Sequence, residues 1–222
     1  MKKFITAMSL LVSFNFPTWA LDVGDISSFI YSDSVMLSKE IKNTTSSGRL
    51  INIDIERITS PLAEGKIIPM ENKDEILYTP GSTLLPAHSS ETIRFYYKGP
   101  EDNQERYYRI IWTDQALSME QQNKSVRSAM ATASARISTI LVVTPRKAHY
   151  NYHYTNGSVS NTGNATLRII AYGSCQEIGK GDQCHENYFL LPGRTRKFTK
   201  VNILDPESRI AAWQAEQFLP IK

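Results

Sequence analysis

Short runs in which apolar and polar residues alternate recur along most of this 222-residue chain, and they constrain its fold more than any other feature. In RLINIDIERI, the residues Ile51, Ile53 and Ile55 fall on one face of an extended chain. In ERYYRIIWTD, Tyr108 and Trp112 share a face in the same way. Because the side chains of a strand point alternately to its two sides, this pattern is typical of half-buried antiparallel strands. Gly, Pro and Asn separate the runs, so the sequence predicts an all-β fold made of β-sandwiches.

A change of pattern after Pro145 divides the chain into two candidate domains. A strong strand ends there, and the run HYNYHY begins shortly afterwards. We therefore predict one sandwich in residues 21–145 and a second, smaller one in residues 146–222. The segment ESRIAAWQAEQFL, residues 207–219, is equally compatible with a helix and with an irregular strand.

The N-terminal residues have the features of a secretory signal peptide. Residues 1–20 have two lysines directly after Met1, then an apolar stretch, and end in Thr18-Trp19-Ala20, with small residues at the positions that a signal peptidase reads. Asn15 and Pro17 interrupt the apolar stretch, so we expect cleavage after Ala20 and an exported chain that is not embedded in a membrane. Removing this segment takes away two lysines and no acidic residue, so the formal net charge falls from +3 to +1. No dense basic face remains for nucleic acid to bind.

The two cysteines, Cys175 and Cys184, favour a disulfide. In an oxidising compartment, a single local disulfide that pins a loop is the usual arrangement. A metal site that adds His185 is the alternative, but three ligands without a second cysteine pair are a poor match to a structural zinc site. We therefore expect a disulfide and no metal.

The sequence contains little that resembles catalytic chemistry. The run GSCQEIGKG has the wrong glycine spacing for a phosphate-binding loop, and Gly181 stands where Ser or Thr would follow the lysine. His149 and His153 would lie about 13 Å apart along a strand, too far for one metal ion. No Gly-x-Ser-x-Gly motif occurs. We therefore expect a protein that is not an enzyme and that needs no cofactor.

The run ARISTILVVTPR, residues 135–146, is among the most strand-like stretches of the chain, although a long polar segment precedes it. From Ile137 onward its odd positions alternate with the period of a strand. The segment before it, SMEQQNKSVRSAMATAS, has little to bury. We expect residues 114–130 to be flexible until a partner orders them.

The order of these runs resembles that of the periplasmic fimbrial chaperones of the chaperone–usher pathway, and especially of the alternative branch that includes common-pilus chaperones. The similarity covers the whole exported chain. It depends on IKNTT at the end of an early strand, YYRIIW as strand F, the long loop, ARISTILVVTPR as strand G, and then VSNTGNATLRI and LLPG in the second domain.

This resemblance implies a fold, a location and partners. Members have two immunoglobulin-like domains set at an angle, work in the periplasm and donate strand G to fimbrial (pilin) subunits. They deliver those subunits to the outer-membrane usher for pilus assembly. An exposed strand edge invites association, so we expect the free protein to hide it by self-capping or by forming a homodimer.

The resemblance also implies which side chains of strand G are donated. They would be the odd positions Ala129, Ala131, Ala133, Ala135, Ile137, Thr139, Leu141 and Val143. Alanines bury little area, so either the grip is loose or the pairing is centred on residues 137–143. Leu141 and Val143 are equally compatible with the core of the first domain.

The chain departs from the better-known chaperones at the residues that anchor the subunit's terminal carboxylate. Those members carry an Arg on strand A and a Lys on strand G. Here the first strand, DISSFIYSDS, has no Arg, and Ile140 stands at the Lys position. Arg136 is the first candidate anchor and Arg109, on strand F, is the second. For Arg136, a solvated charge at the end of a strand is the alternative.

A different class of protein also fits the pattern. A secreted two-sandwich adhesin or carbohydrate-binding protein would present aromatic residues in exposed loops, and Tyr150, Tyr152, Tyr154 and His153 are candidates for that role.

Overall fold

The computed structural model of the chain describes residues 21–117, 134–177 and 183–222. The predicted signal peptide, residues 1–20, lies outside the described residues. Regular secondary structure in the described ranges consists of β-strands arranged around two separate hydrophobic cores. The all-β fold expected from the sequence is confirmed.

Ten strands surround the first core and seven surround the second, counted over the described ranges. The first group is β1 (Leu21–Asp22), β2 (Ser27–Ile30), β3 (Met36–Asn43), β4 (Arg49–Ile58), β5 (Ile67–Ile68), β6 (Ile76–Thr79), β7 (Ser82–Leu85), β8 (Ser90–Tyr97), β9 (Arg106–Ala116) and β10 (Ser134–Val143). The second group is β11 (Tyr152–Thr155), β12 (Ser158–Asn161), β13 (Leu167–Gly173), β14 (Cys184–Leu190), β15 (Thr195–Lys197), β16 (Arg209–Gln214) and β17 (Gln217–Pro220).

The first sandwich consists of two sheets that face each other across the core. One sheet has the order β1-β3-β8-β6, and the other has the order β2-β10-β9-β4-β5, with β7 also paired to β4. Trp112 lies fully buried between them, with its ring edge-on to that of Phe95 on the opposite sheet at 6.3 Å. Ile51 and Ile53 on β4 are buried in the same core, so the predicted alternation is confirmed.

The second sandwich is smaller and has the sheet orders β11-β12-β15 and β14-β13-β16-β17. Its core includes Leu167, Ile169 and Phe198. Residues 207–219, which the sequence left open between helix and strand, form β16 and β17. These two strands pair as a hairpin whose turn includes Ala215 at φ 53°. Strand β16 also pairs with β13, and these backbone bonds are why the segment is extended.

Cys175 and Cys184 form the predicted disulfide, with an S–S distance of 2.06 Å. Cys175 makes an isolated bridge to Val201, and Cys184 is the first residue of β14. The disulfide therefore ties the end of the β13 region to the start of β14 in the second domain.

Polar contacts join the two sandwiches. The partly buried carboxylate of Glu105 accepts hydrogen bonds from the Thr166 backbone N–H at 2.6 Å and from the Thr166 hydroxyl at 2.5 Å. Burial raises the pKa of Glu105, while the hydrogen bonds from Thr166 and Tyr107 oppose that shift. The side-chain amide of Asn164 donates to the Asn103 carbonyl oxygen at 3.1 Å. These contacts cross from one sandwich to the other, so they fix the relative position of the two.

The end of β9 differs from the sequence-based expectation. Residues 114–116, which we expected to belong to a flexible segment, are part of β9. Asp114 is buried and binds Arg49, whose Nε lies 2.6 Å from Asp114 Oδ1. Strand pairing extends β9 through these residues, since β4 pairs with it as far as Ala116 and β10 as far as Gln115. The ion pair compensates the burial of the Asp114 carboxylate. Residues 118–130, the rest of the expected flexible segment, lie outside the described residues.

Candidate functional site

One half of β10 is an open sheet edge. The strand pairs with β9 along its whole length, from Ser134 opposite Gln115 onward. On its other side β2 pairs with it in parallel, but only over residues 140–143. Within the described part of the chain, residues 134–139 therefore have a strand neighbour on one side only.

The backbone direction of this open edge follows from one hydrogen bond. The Ile140 N–H donates to the Ile26 carbonyl oxygen at 2.7 Å, so the backbone groups of Ile140 point away from β9. Because strands have a period of two, the N–H and C=O groups of Ser138, Arg136 and Ser134 point the same way. They form a row of donors and acceptors at which a further strand could pair.

From Ile137 onward, the odd-numbered side chains of β10 face the core of the first domain. Thr139, Leu141 and Val143 are at most 1% exposed, and Ile137 packs partly against the same cluster. Thr139 also accepts a hydrogen bond from Trp112 Nε1 at 2.9 Å. Of the two interpretations that the sequence left open, the structure places these side chains in the chain's own core.

The expected donor alanines fall at or beyond the start of β10. Ala135 is exposed on the strand. Ala129, Ala131 and Ala133 lie outside the described residues. In this structure, the open edge therefore offers a partner mainly its backbone groups and not a row of large apolar side chains.

The two candidate anchor residues lie on the same outer face of the sheet but are not together. Arg136 is exposed and stands opposite Thr113. Arg109 stands opposite Ile140, and its Nη1 lies 3.5 Å from Glu56 Oε2. Four residues of strand separate Arg136 from Ile140, which corresponds to about 13 Å. Of the two cations, Arg136 is the one beside the open edge.

A buried lysine holds the first residues of β2 in place. Lys39 Nζ donates to the Asp25 carbonyl oxygen at 2.6 Å and lies 3.3 Å from Ser28 Oγ. Burial lowers the pKa of Lys39, and the charge of Asp25 opposes the shift. This contact ties β3 to the point where β2 begins to cover β10. Sequence reasoning did not single out Lys39, because its alternating position in MLSKEIKN does not reveal what it contacts.

A cleft of about 590 Å³ separates the two sandwiches next to β2. Its lining from the first domain includes Ile26, Phe29 and Tyr31, and from the second domain includes Arg168 and Trp213. Arg168 is the only Lys or Arg among the described residues that line it. Burial is the main reason why the pKa of Tyr31 is raised, and the nearby charge of Arg168 opposes this shift. The cleft is therefore lined by aromatic and polar side chains, with one cation, Arg168, and one carboxylate, Asp25.

Sequence reasoning missed Arg168. The alternation of ATLRIIAYGS places it on the opposite face from Leu167 and Ile169, so an outward position could have been predicted. That the outward face of β13 borders the cleft depends on how the two domains meet, which the local pattern does not contain.

Among the described residues, no group of three or more His, Cys, Asp and Glu side chains is placed to hold a metal ion. Over the same ranges, no helix has the length and apolar character needed to cross a bilayer.

Two immunoglobulin-like sandwiches, with an edge strand half uncovered beside the cleft between them, define the class of chaperones that carry fimbrial subunits. Residues 150–221 match the family model of the EcpB C-terminal domain. The whole chain is 59% identical, over 100% of both chains, to a probable fimbrial chaperone EcpB of Escherichia coli and to one of Klebsiella pneumoniae. The chain belongs to the EcpB family of fimbrial chaperones, which confirms the resemblance seen in the sequence.

Solved structures share the fold. The class 5 fimbriae chaperone CfaA is 16% identical, with a TM-score of 0.54, over 90% of this chain and 97% of that one. A chain from a chaperone–tip adhesin complex of CFA/I fimbriae is 15% identical, with a TM-score of 0.51, over 90% of this chain and 97% of that one. These similarities agree with the two-sandwich architecture.

Proposed function

We propose that this protein is a non-enzymatic periplasmic chaperone that binds fimbrial subunits at the open edge of β10 and delivers them to an outer-membrane usher. Residues 1–20 would direct its export, residues 21–145 would form the subunit-binding domain, and residues 146–222 would form the second domain. The observation that carries the proposal is that β2 covers only residues 140–143 of β10. The relatives' name, probable fimbrial chaperone, supports it.

Backbone pairing is the proposed basis of binding. A subunit strand would lie along residues 134–139 and exchange hydrogen bonds with Ser134, Arg136 and Ser138. Each such bond contributes about 0.5–1.5 kcal/mol net, so a few bonds give a moderate grip that an assembly partner can displace. The donor segment would continue to Ala135, Ala133, Ala131 and Ala129, whose small side chains fit a loose grip.

Arg136 is the proposed anchor for a terminal carboxylate of the subunit. Its guanidinium is exposed beside the open edge, and in the described part of the chain it makes no ion pair. A planar guanidinium can donate two parallel hydrogen bonds to a carboxylate, and a contact of this kind also fixes the register of strand pairing. Arg109 is the second candidate for this anchor, because its guanidinium already forms an ion pair with Glu56.

Replacing Arg136 with Ala tests this anchor. We expect Arg136→Ala to fold normally and to lose about 1.5–3 kcal/mol of binding, since a charge-assisted bond disappears and a carboxylate is left unpaired. Subunit recovered with the chaperone from periplasm would be quantified. Arg94→Ala is the matched control, because Arg94 is an exposed strand arginine on the other sheet. Normal recovery by Arg136→Ala together with loss by Arg109→Ala would move the anchor to β9.

Co-purification also tests the function itself. A chaperone should emerge from periplasm in a one-to-one complex with a fimbrial subunit, whereas an adhesin would emerge alone or polymerised. The structure adds no support to the carbohydrate-binding alternative, because Tyr150, Tyr152 and Tyr154 pack against the second core. Self-capping or homodimer formation by the free protein would follow from the same open edge.

A further inference from the structure

The outer face of the second domain carries a row of aromatic residues with an arginine in its middle. Cross-strand register places Phe189 of β14 opposite Arg168 of β13, Arg168 opposite Trp213 of β16, and Trp213 opposite Phe218 of β17. Directly opposed residues of neighbouring strands lie side by side on one face of a sheet. These four residues, which we call the aromatic row, therefore span the whole width of the sheet.

Three of the four residues of the aromatic row are exposed and Trp213 is half-buried, and none of them belongs to the core. Phe189 is 45% exposed and Phe218 is 55% exposed, while the core of this domain lies on the other face of the sheet. Trp213 and Phe218 meet edge to face at 5.5 Å. The solvent face of an antiparallel sheet is usually polar, and contiguous apolar residues on such a face mark an interaction surface.

One end of the aromatic row meets β2, the strand that covers residues 140–143 of β10. The ring of Phe189 lies 5.1 Å from that of Phe29 on β2. Strand β2 pairs with β10 and begins just where the open edge ends. Phe29 stands opposite Val142, within the covered part of β10. The cleft that Phe29 and most of the aromatic row line also includes Ser27, which pairs with Ile140 at the end of the open edge.

The arginine of this row has donors free for a ligand. Arg168 Nε donates to Asn187 Oδ1 at 3.1 Å, which orients the guanidinium. Its two terminal nitrogens have no hydrogen-bond partner among the described residues. A guanidinium held in this way between aromatic rings is suited to binding a carboxylate.

We propose that the aromatic row is a second binding surface for the subunit that pairs with β10, and that Arg168 binds a carboxylate group of that subunit. This inference depends on the proposed function, since it gives the same partner a further contact. The matching surface of the subunit is apolar and carries an acidic group. Contact with a second copy of this chain is disfavoured, because a two-fold contact centred on the row would bring two Arg168 guanidinium groups together.

The test compares subunit binding by purified variants. Arg168→Gln and Phe218→Ser remove the charge and an exposed ring, whereas Leu204→Ser, at a residue that is 78% exposed and outside the row, is the control. Dissociation constants for a purified fimbrial subunit would be measured at low and high salt. We expect the two row variants to bind about tenfold or more weakly, and Arg168→Gln to lose part of the salt dependence. Leu204→Ser should bind like the parent protein.

The outcomes separate this inference from the proposed function. If the parent protein binds no subunit, the proposed function fails. If the parent binds and both row variants bind equally well, the aromatic row is not a subunit surface and only this inference fails. Sedimentation of the free protein provides a further check. Self-association that Phe218→Ser abolishes, with subunit binding unchanged, would assign the row to a second copy and overturn the inference.

Discussion

Replacing Ser138 with proline should weaken subunit binding at the open edge without disturbing the fold of the protein. The Ser138 N–H points away from β9, as the Ile140 bond to Ile26 shows two residues further along. Ser138→Pro therefore removes a donor that the free protein does not use for β9 pairing, and proline is tolerated on edge strands for this reason. The exposed side chain of Ser138 has no packing to lose. We expect the variant to fold with a Tm within about 4 °C of the parent.

The effect of Ser138→Pro on subunit binding follows from the lost hydrogen bond. One net backbone bond is worth about 0.5–1.5 kcal/mol, and the subunit carbonyl left buried without a donor costs about 1–3 kcal/mol more. A total of about 1.5–4.5 kcal/mol corresponds to roughly 10-fold to 2000-fold weaker binding. Ser138→Ala keeps the N–H and should bind like the parent protein.

The assay is a titration of each purified variant with a fimbrial subunit, with circular dichroism used to confirm the fold. A proline variant that is folded and binds the subunit with the parent's dissociation constant would refute pairing at this edge. Equal loss of binding in Ser138→Ala would also refute it, because the side chain and not the backbone would then be responsible.

Three further predictions concern stability. Replacing Cys175 and Cys184 with Ser should destabilise the second domain by about 2–3 kcal/mol in chemical denaturation, with subunit binding retained. The hydrogen bond from Arg106 lowers the pKa of Asp102 to about 2. The ionised Asp102 side chain therefore stabilises the folded protein above the ordinary pKa of 3.8, and this stabilisation is lost as pH falls through about 2. Asp102→Asn should flatten the acid limb of the stability curve in that window, and an unchanged limb would contradict the assignment. Burial raises the pKa of Glu105. The protonated Glu105 side chain therefore contributes to the stability of the fold below the ordinary pKa of 4.5, and this contribution is lost as pH rises through the raised pKa. Glu105→Gln should remove this loss of stability with rising pH. The same loss in the variant would contradict its assignment to Glu105.

The local pattern of the sequence was enough to predict the strands and the fold class. The alternation at Ile51, Ile53 and Trp112 appears in the structure as burial on one face, because a strand's period of two depends only on its own backbone. The disulfide was also predictable, since only two cysteines are present and the export predicted from the sequence would favour their oxidation. The order of the runs was sufficient to reveal the chaperone family.

Only the tertiary structure determined which strands pair with one another and which side chains are buried in the protein's own core. Alternation shows that Leu141 and Val143 share a face, but it cannot tell a partner's groove from the chain's own core. The pairing of β10 with β9 and β2 places both residues in the first core and leaves residues 134–139 open. Hydrogen bonds to β13 likewise determine that residues 209–214 are a strand. Arg168 reaches the cleft because the Glu105–Thr166 contacts hold the two domains together, and long-range contacts of this kind leave no periodic trace in the sequence.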